Sequence, residues 1–357
     1  MMKQLRQIYP LLLLITGLSA CTTIDYYGQA IHGHLSLMTS GTPVDNLITD
    51  PNTTPSLRTK LELSRQARDF ARTRLHLPAD DAFTRYVALD RPWVVLNLVA
   101  VPEFSLAPHR WCYPLLGCQA YRGYFDPEDA QRAQSRFREK GYDTLVGGVT
   151  AYSTLGWLDD PLHSAITGLP DDRMVALLFH ELAHQVLYIR DDTGFNESFA
   201  TAVELEGLQL WLQQKGTPDA FAPVLERLQQ QKQTRALVAE ARTRLEHLYR
   251  QRGTLADVQL RQRKAVILEK LRQDYNQLAQ HWQQPGPLGR DPRSLDNASL
   301  ILFRQYNRHV NGFRQLLADH NHDFPAFYQA AITLSRRSAS DRDAALTRLS
   351  QRFDEHL

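Results

Sequence analysis

Two short stretches carry residue types that can do chemistry together: His180-Glu181-Leu182-Ala183-His184 and Asn196-Glu197-Ser198-Phe199-Ala200. On a helix, residues four apart share a face, so His180 and His184 can present two imidazoles to one metal ion. Glu181 stands beside that face, where its carboxylate can take a proton from a water at the metal. A catalytic zinc site needs a third protein ligand and an open fourth position. Glu197 is the candidate, because a turn over residues 190–194 returns the chain past the histidines. Thr201 and Glu204, four and seven residues after Glu197, fall near the same face and are candidates to orient a histidine.

The elements that must hold these groups are legible around them. Pro170-Asp171-Asp172 is a suitable helix start, with acidic residues at the positive end of the dipole. From Arg173 to Leu187 there is neither Gly nor Pro, and Val175, Leu178, Leu182 and Val186 recur at helical spacing. A second helix is predicted from about Asn196 to Leu212. Between Gly147 and Leu212 ten Asp and Glu face only two basic residues, Arg173 and Arg190. That balance suits a metal cation and the free ammonium of a peptide. Asp159, Asp160, Asp191 and Asp192 are open to two readings, as holders of that ammonium or as helix caps and solvated turn residues.

With these motifs in hand, the chain resembles the gluzincins, zinc peptidases that include thermolysin and aminopeptidase N. The resemblance implies one Zn²⁺ ion held by His180, His184 and Glu197, with Glu204 beside them, although the gap between histidines and second glutamate is shorter here than is usual there. It also implies a tyrosine from a distant segment at the developing oxyanion, for which Tyr152 and Tyr306 are the candidates. A strand over residues 147–154 would by the same resemblance pair with the substrate main chain, or else be an ordinary sheet strand. Over nearly its whole length, through the segments 111–125, 147–162, 178–188 and 195–204, the sequence also resembles a bacterial family of aminopeptidase lipoproteins.

The N-terminal residues read as a targeting segment. Lys3 and Arg6 form a basic start, Leu11 to Leu18 an apolar run, and Leu18-Ser19-Ala20-Cys21 resembles a lipobox. Residues 1–20 are then a signal peptide, and lipidation of Cys21 ties the chain to a membrane. Thr22 in place of Asp favours the bacterial outer membrane, facing the periplasm. With Cys21 acylated, Cys112 and Cys118 remain as an even pair in an oxidising compartment and read as a short disulfide loop. A zinc pair is the alternative, but no neighbouring His or Cys completes a set of four.

The rest of the chain is scaffold. Residues 21–55 form the lipid anchor and tether, with an amphipathic helix over 26–37 and a Thr-, Pro- and Asn-rich loop over 39–55. Residues 56–212 form the metallopeptidase core, opening with a helix whose buried side carries Leu57, Leu61, Ala67, Phe70, Ala71 and Leu75. A strand at 93–101 and a polar helix at 127–140 follow. Residues 213–284 read as a helical hairpin broken at Gly253, capped by Thr254 to Asp257, with Leu245, Leu248 and Tyr249 facing Val266, Ile267, Leu271 and Tyr275. It is a candidate surface for a protein partner or an intramolecular buttress. Residues 285–357 form a C-terminal helical region completing the active-site side, with a helix over 297–306.

The fold class expected is therefore α+β and mostly α-helical: a metal-binding helix pair, a small sheet and a long hairpin. A net charge of +2 argues against nucleic acid as a partner. The function expected is zinc-dependent hydrolysis of peptide bonds, with removal of N-terminal residues from periplasmic peptides. A zinc endopeptidase and a metal-stabilised, non-catalytic envelope protein are the alternatives. An enzyme needs Glu181 and an open coordination position; a purely structural site would be closed and indifferent to Glu181.

Overall fold

The computed structural model describes residues 26–113, 117–151, 159–289, 292, 295–301, 303 and 308–353. Cys21, Tyr152 and Tyr306 lie outside them. The fold is α+β and mostly helical, with three small sheets among the described residues.

Its largest apolar cluster is built where helices meet. Leu61, Ala67, Phe70 and Ala71 of the helix Pro55–Arg74 pack against the helix Asp171–Val186, with Leu75 just beyond the first helix's end. That second helix is buried on most sides, through Met174, Val175, Leu178, Phe179, Leu182 and Ala183. The helix Thr193–Gln214 runs back beside it. Gly207 permits the close approach, since a Cβ there would lie 2.7 Å from Leu75 Cδ1 and 3.0 Å from Phe179 Cδ2. Phe199, fully buried, stacks on Phe327 and meets Phe313 edge-on, both at 5.6 Å between ring centres. The C-terminal helices Val310–Asp319 and Phe324–Ser335 are thereby joined to the same core.

The main sheet is antiparallel, with the strand Val95–Pro102 between Arg122–Tyr124 and Tyr142–Val149. Both faces are covered. Leu98 and Ala100 meet Ala130 and Phe137 of the helix Pro127–Glu139, while Val99 and Val101 meet Ala298 and Ile301 of the helix Asn297–Ile301. The disulfide joins Cys112 to Cys118, directly opposite each other in the strand pair Trp111–Tyr113 and Gly117–Gln119. A third sheet pairs Arg85–Val87 with Thr42–Pro43 and Leu162–His163.

The hairpin consists of the helices Ala222–Tyr249 and Asp257–Ala279, 28 and 23 residues long. Val238, Ala241 and Leu245 face Leu268 and Leu271, and Leu300 joins them from the C-terminal region. A polar network fastens it to the sheet. Lys264 Nζ, 8% exposed, donates to Asp143 Oδ2 at 2.5 Å and to the Glu103 carbonyl at 2.9 Å. Asn297 donates to the same Asp143 oxygen from its amide and to the Glu103 carbonyl from its side chain, and it accepts from the Tyr249 hydroxyl.

Five expectations need correction. The segment 39–55 is not all loop: Val44–Thr49 is helical, with Val44 buried and Leu47 and Ile48 packed on the core. The glycine-bearing strand starts earlier than 147 and ends at Val149, because Tyr142 to Thr144 complete the ladder opposite Val95–Pro102. Val266 points to solvent at 70% exposure, since the inner stripe of its helix is Leu260, Lys264, Leu268 and Leu271. The hairpin's second helix begins after Ala256, whose amide donates to Gln259 Oε1, rather than at a Thr254 cap. The helix expected over 297–306 covers Asn297–Ile301 among the described residues.

Phe199→Ala removes a ring from the junction of the helix pair and the C-terminal helices. It should cost about 3–5 kcal/mol of stability in urea unfolding. A loss below about 1 kcal/mol would show that this junction is not part of the core.

Candidate metal centre

The two motifs meet because of how the turn between their helices is made. The helix Asp171–Val186 ends where Leu187 turns extended, at φ −153° and ψ 124°. Asn196 then brackets the returning chain: its Oδ1 accepts from the Ile189 amide and its Nδ2 donates to the Ile189 carbonyl, both at 2.8 Å. Asp191 takes a left-handed φ of 63°, and the Asp192 side chain caps the next helix by accepting from the Phe195 amide at 3.2 Å. That cap starts the helix at Thr193, three residues before the expected Asn196. The short connection thus suffices to bring Glu197 back to the histidines.

His180 Nε2 lies 3.2 Å from His184 Nε2 and 3.4 Å from Glu197 Oε2, while His184 Nε2 lies 3.8 Å from Glu197 Oε1. Tetrahedral bonds of about 2.0–2.1 Å place neighbouring ligand atoms about 3.3 Å apart, so these separations suit one ion of zinc's size. Glu204 Oε2 accepts from His180 Nδ1 at 3.0 Å. This bond puts the proton on Nδ1 and leaves the Nε2 lone pair facing the other ligands. The His184 Nδ1 atom is buried without a hydrogen-bond partner among the described residues. The Glu197 side chain is 35% exposed, so one side of the cluster opens to solvent. The donor set fits a divalent metal ion: two neutral imidazoles, one carboxylate and room for a further ligand.

The electrostatics point the same way. Burial disfavours a charged His180, yet the hydrogen bonds of Glu197 and Glu204 outweigh it and hold its pKa well above the usual value. His184 goes the other way, down to about 4, because of burial and the neighbouring His180 charge. Burial also raises Glu181, to about 7; the His180 charge opposes the rise, and Glu197, Asp160 and Glu204 add to it. The pair of imidazoles therefore sits among three carboxylates, as a cation site should.

The remaining candidates are distributed as follows. Thr201 is buried on the glutamate helix, and the hydrogen bond to the His180 ring comes from Glu204. Asp159 is exposed, whereas Asp160 is 3% exposed and its carbonyl accepts from the Phe83 amide at 2.8 Å. Asp191 accepts from the Cys118 amide at 3.4 Å. Asp192 is both the helix cap and the partner of Arg342, whose Nη2 lies 2.5 Å from Oδ2. Of the candidate tyrosines, Tyr152 and Tyr306 fall outside the described residues.

Two residues that interact with this pair of helices were not marked by the sequence. Arg342, on the helix Ala339–Arg352, braces the Asp192 cap from 150 positions away, and no local signal marks it. Tyr188 is 44% exposed; burial raises its hydroxyl's pKa, and the Glu197 and Asp191 charges add to the rise. Its place four residues after His184 was the available clue.

Residues 25–346 match the model of a family described as "Putative aminopeptidase". No curated protein and no solved structure matches the chain.

Two measurements test the centre. Glu204→Ala frees the His180 ring and should weaken zinc binding by about 10–100-fold, read by competition with a chelating dye. An unchanged affinity would show that the Glu204 bond does not orient the ligand. Zinc binding should also release a proton. Below its raised pKa, His180 is protonated and the ion must displace that proton, so affinity falls as pH falls and levels off above the pKa. Calorimetric titrations at neutral pH in two buffers of different ionisation enthalpy should give different apparent enthalpies. Equal enthalpies would contradict the assignment.

Proposed function

The chain belongs to that family, and from this premise we propose that it is a zinc-dependent peptidase that removes N-terminal residues from peptides. The observation that carries the reading is the convergence of His180 Nε2, His184 Nε2 and the Glu197 carboxylate within bonding range of a single ion, with Glu181 in their electrostatic field. These three residues would hold the zinc ion, which supplies Lewis-acid polarisation of a peptide carbonyl and lowers the pKa of a water.

The chain's own residues do the rest. Glu181 accepts the proton of the attacking water on a carboxylate oxygen and passes it to the nitrogen of the leaving amine. A carboxyl raised by burial toward neutrality is suited to both transfers, since it gives the proton up as readily as it takes it. Glu204 keeps the His180 lone pair aimed at the ligand position. The surrounding carboxylates favour a substrate with a free ammonium group, which supports the exopeptidase reading. Tyr188, exposed and within the field of Glu197, is a tyrosine for the oxyanion alongside Tyr152 and Tyr306.

The proposed setting is the periplasmic side of a bacterial outer membrane. It is supported by the basic start, the apolar run and the Leu18 to Cys21 sequence, which together specify cleavage before an acylated Cys21.

Glu181→Gln should leave zinc content unchanged and lower kcat by at least about 100-fold. Unchanged turnover would sink the mechanism. The zinc-loaded enzyme should hydrolyse aminoacyl-anilides with a free amine, lose that activity to a chelator, and leave N-acetylated counterparts intact. Equal cleavage of the acetylated substrates would make the enzyme an endopeptidase.

A further inference from the structure

The helix at residues 26–39 has two faces of different character. One is built into the body. The Tyr26 ring lies 3.4 Å from the Arg122 guanidinium and edge-on to Tyr124 at 5.6 Å, and the Phe125 amide donates to Gln29 Oε1 at 3.0 Å. Leu37 is buried with Val87, Val94 and Val95. Gly33 rests on Phe125 so closely that a Cβ would fall 2.3 Å from Cγ.

The other face is exposed among the described residues and carries an apolar stripe flanked by Gly28, His32, Ser36 and Thr39. Tyr27, Ile31 and Leu35 succeed one another every four residues and are 38%, 57% and 54% exposed. Between residues 26 and 39 there is no Asp, Glu, Lys or Arg. Single exposed apolar residues are ordinary, but the outward face of a surface helix usually carries charge. This one carries none along its whole length.

We propose that this face docks on the lipid surface to which the chain is anchored, with Tyr27, Ile31 and Leu35 at the boundary between headgroups and acyl chains. The proposal rests on the reading of Cys21 as the acylated residue and is independent of the peptidase reading. Cys21 precedes Tyr26 by five residues, a reach of about 18 Å at full extension, so the anchor keeps the helix at the bilayer. Fourteen residues make a helix of about 21 Å, short of the roughly 30 Å hydrocarbon core. No helix among the described residues is long and apolar enough to cross a membrane. The interface is where such a stripe is hidden from water: tyrosine rings favour the headgroup level, and interfacial helices bury their apolar face about 5–10 Å deep. Because the opposite face is part of the body, docking fixes the orientation of the enzyme on the membrane as well as its distance.

The full-length gene carrying Ile31→Cys, Leu35→Cys or, as control, the exposed Lys232→Cys provides the test. With Cys112 and Cys118 bonded and Cys21 acylated, each variant has one free thiol for a nitroxide. The protein is purified from membranes, its acyl mass is confirmed, and it is reconstituted in phosphatidylethanolamine and phosphatidylglycerol vesicles. Labels at 31 and 35 should lose access to an aqueous nickel relaxant several-fold and gain access to lipid-dissolved oxygen, while the label at 232 keeps its aqueous access. Equal aqueous access at all three positions overturns docking and leaves the anchor standing. Spin–spin broadening at 31 that disappears on dilution with unlabelled chain assigns the face to a second copy and overturns it as well. A chain recovered without acyl mass at Cys21 removes the tether and the docking together.

Discussion

Two imidazole nitrogens 3.2 Å apart, with a carboxylate beside them in largely buried surroundings, set the constraint to which the rest of this structure responds. Left alone, the two lone pairs repel and the carboxylate lacks a countercharge. A proton on His180 relieves part of this: the hydrogen bonds of Glu197 and Glu204 outweigh burial and hold its pKa up, while burial and then the His180 charge lower that of His184. A divalent cation relieves all of it, because it meets both nitrogens and the carboxylate at once. The polar groups at the junction of these two helices form a stable arrangement when a metal is their common partner.

Much of the scaffold serves to hold that geometry against its own repulsion. The Asn196 bracket on Ile189 and the Asp192 cap set the direction in which the glutamate helix leaves the turn. Arg342 secures the cap, and the buried Arg314 donates to Glu206 Oε1 at 2.6 Å two positions beyond Glu204. Ser198 Oγ accepts from the His309 amide between these points. Three C-terminal contacts thus grip one helix along the segment that carries Glu197 and Glu204. On the other side of the turn, the disulfide-closed strand pair leans on Asp191 through the Cys118 amide. The core residues supply the remaining stiffness: Gly207 lets the two helices close, and Phe199 fills the space behind them.

The clustering of His180, His184 and Glu197 was legible in the sequence because its logic is local. His180 and His184 share a helix face by spacing alone, and Glu197 follows after a turn too short to carry it elsewhere. The histidine helix was legible for the same reason, as apolar periodicity without Gly or Pro, whereas the glutamate helix starts three residues earlier than its pattern suggested because the Asp192 cap sets its start. What was not legible depends on partners remote in sequence. Arg342 looks like any surface arginine of a polar helix until its contact with Asp192 is seen. Lys264 lies on the inner stripe of its helix because Asp143 receives it, so the stripe that sequence placed through Val266 is turned toward Leu268. The helix Val44–Thr49 was hidden differently: its Thr, Asn and Pro neighbours read as loop, although Val44, Leu47 and Ile48 already showed helical spacing. Thr201 and Glu204 shared a predicted face, and the longer side chain is the one that reaches the ring.

His180, His184 and Glu197 are proposed to form one open zinc site. X-ray absorption spectroscopy of the stoichiometric zinc protein addresses it most directly, because it counts the atoms bound to the ion. A shell of nitrogen and oxygen at about 2.0–2.1 Å is expected, containing two imidazoles, one carboxylate and one exchangeable oxygen. Three or more imidazoles, sulfur in the shell, or a protein that retains no zinc would contradict it.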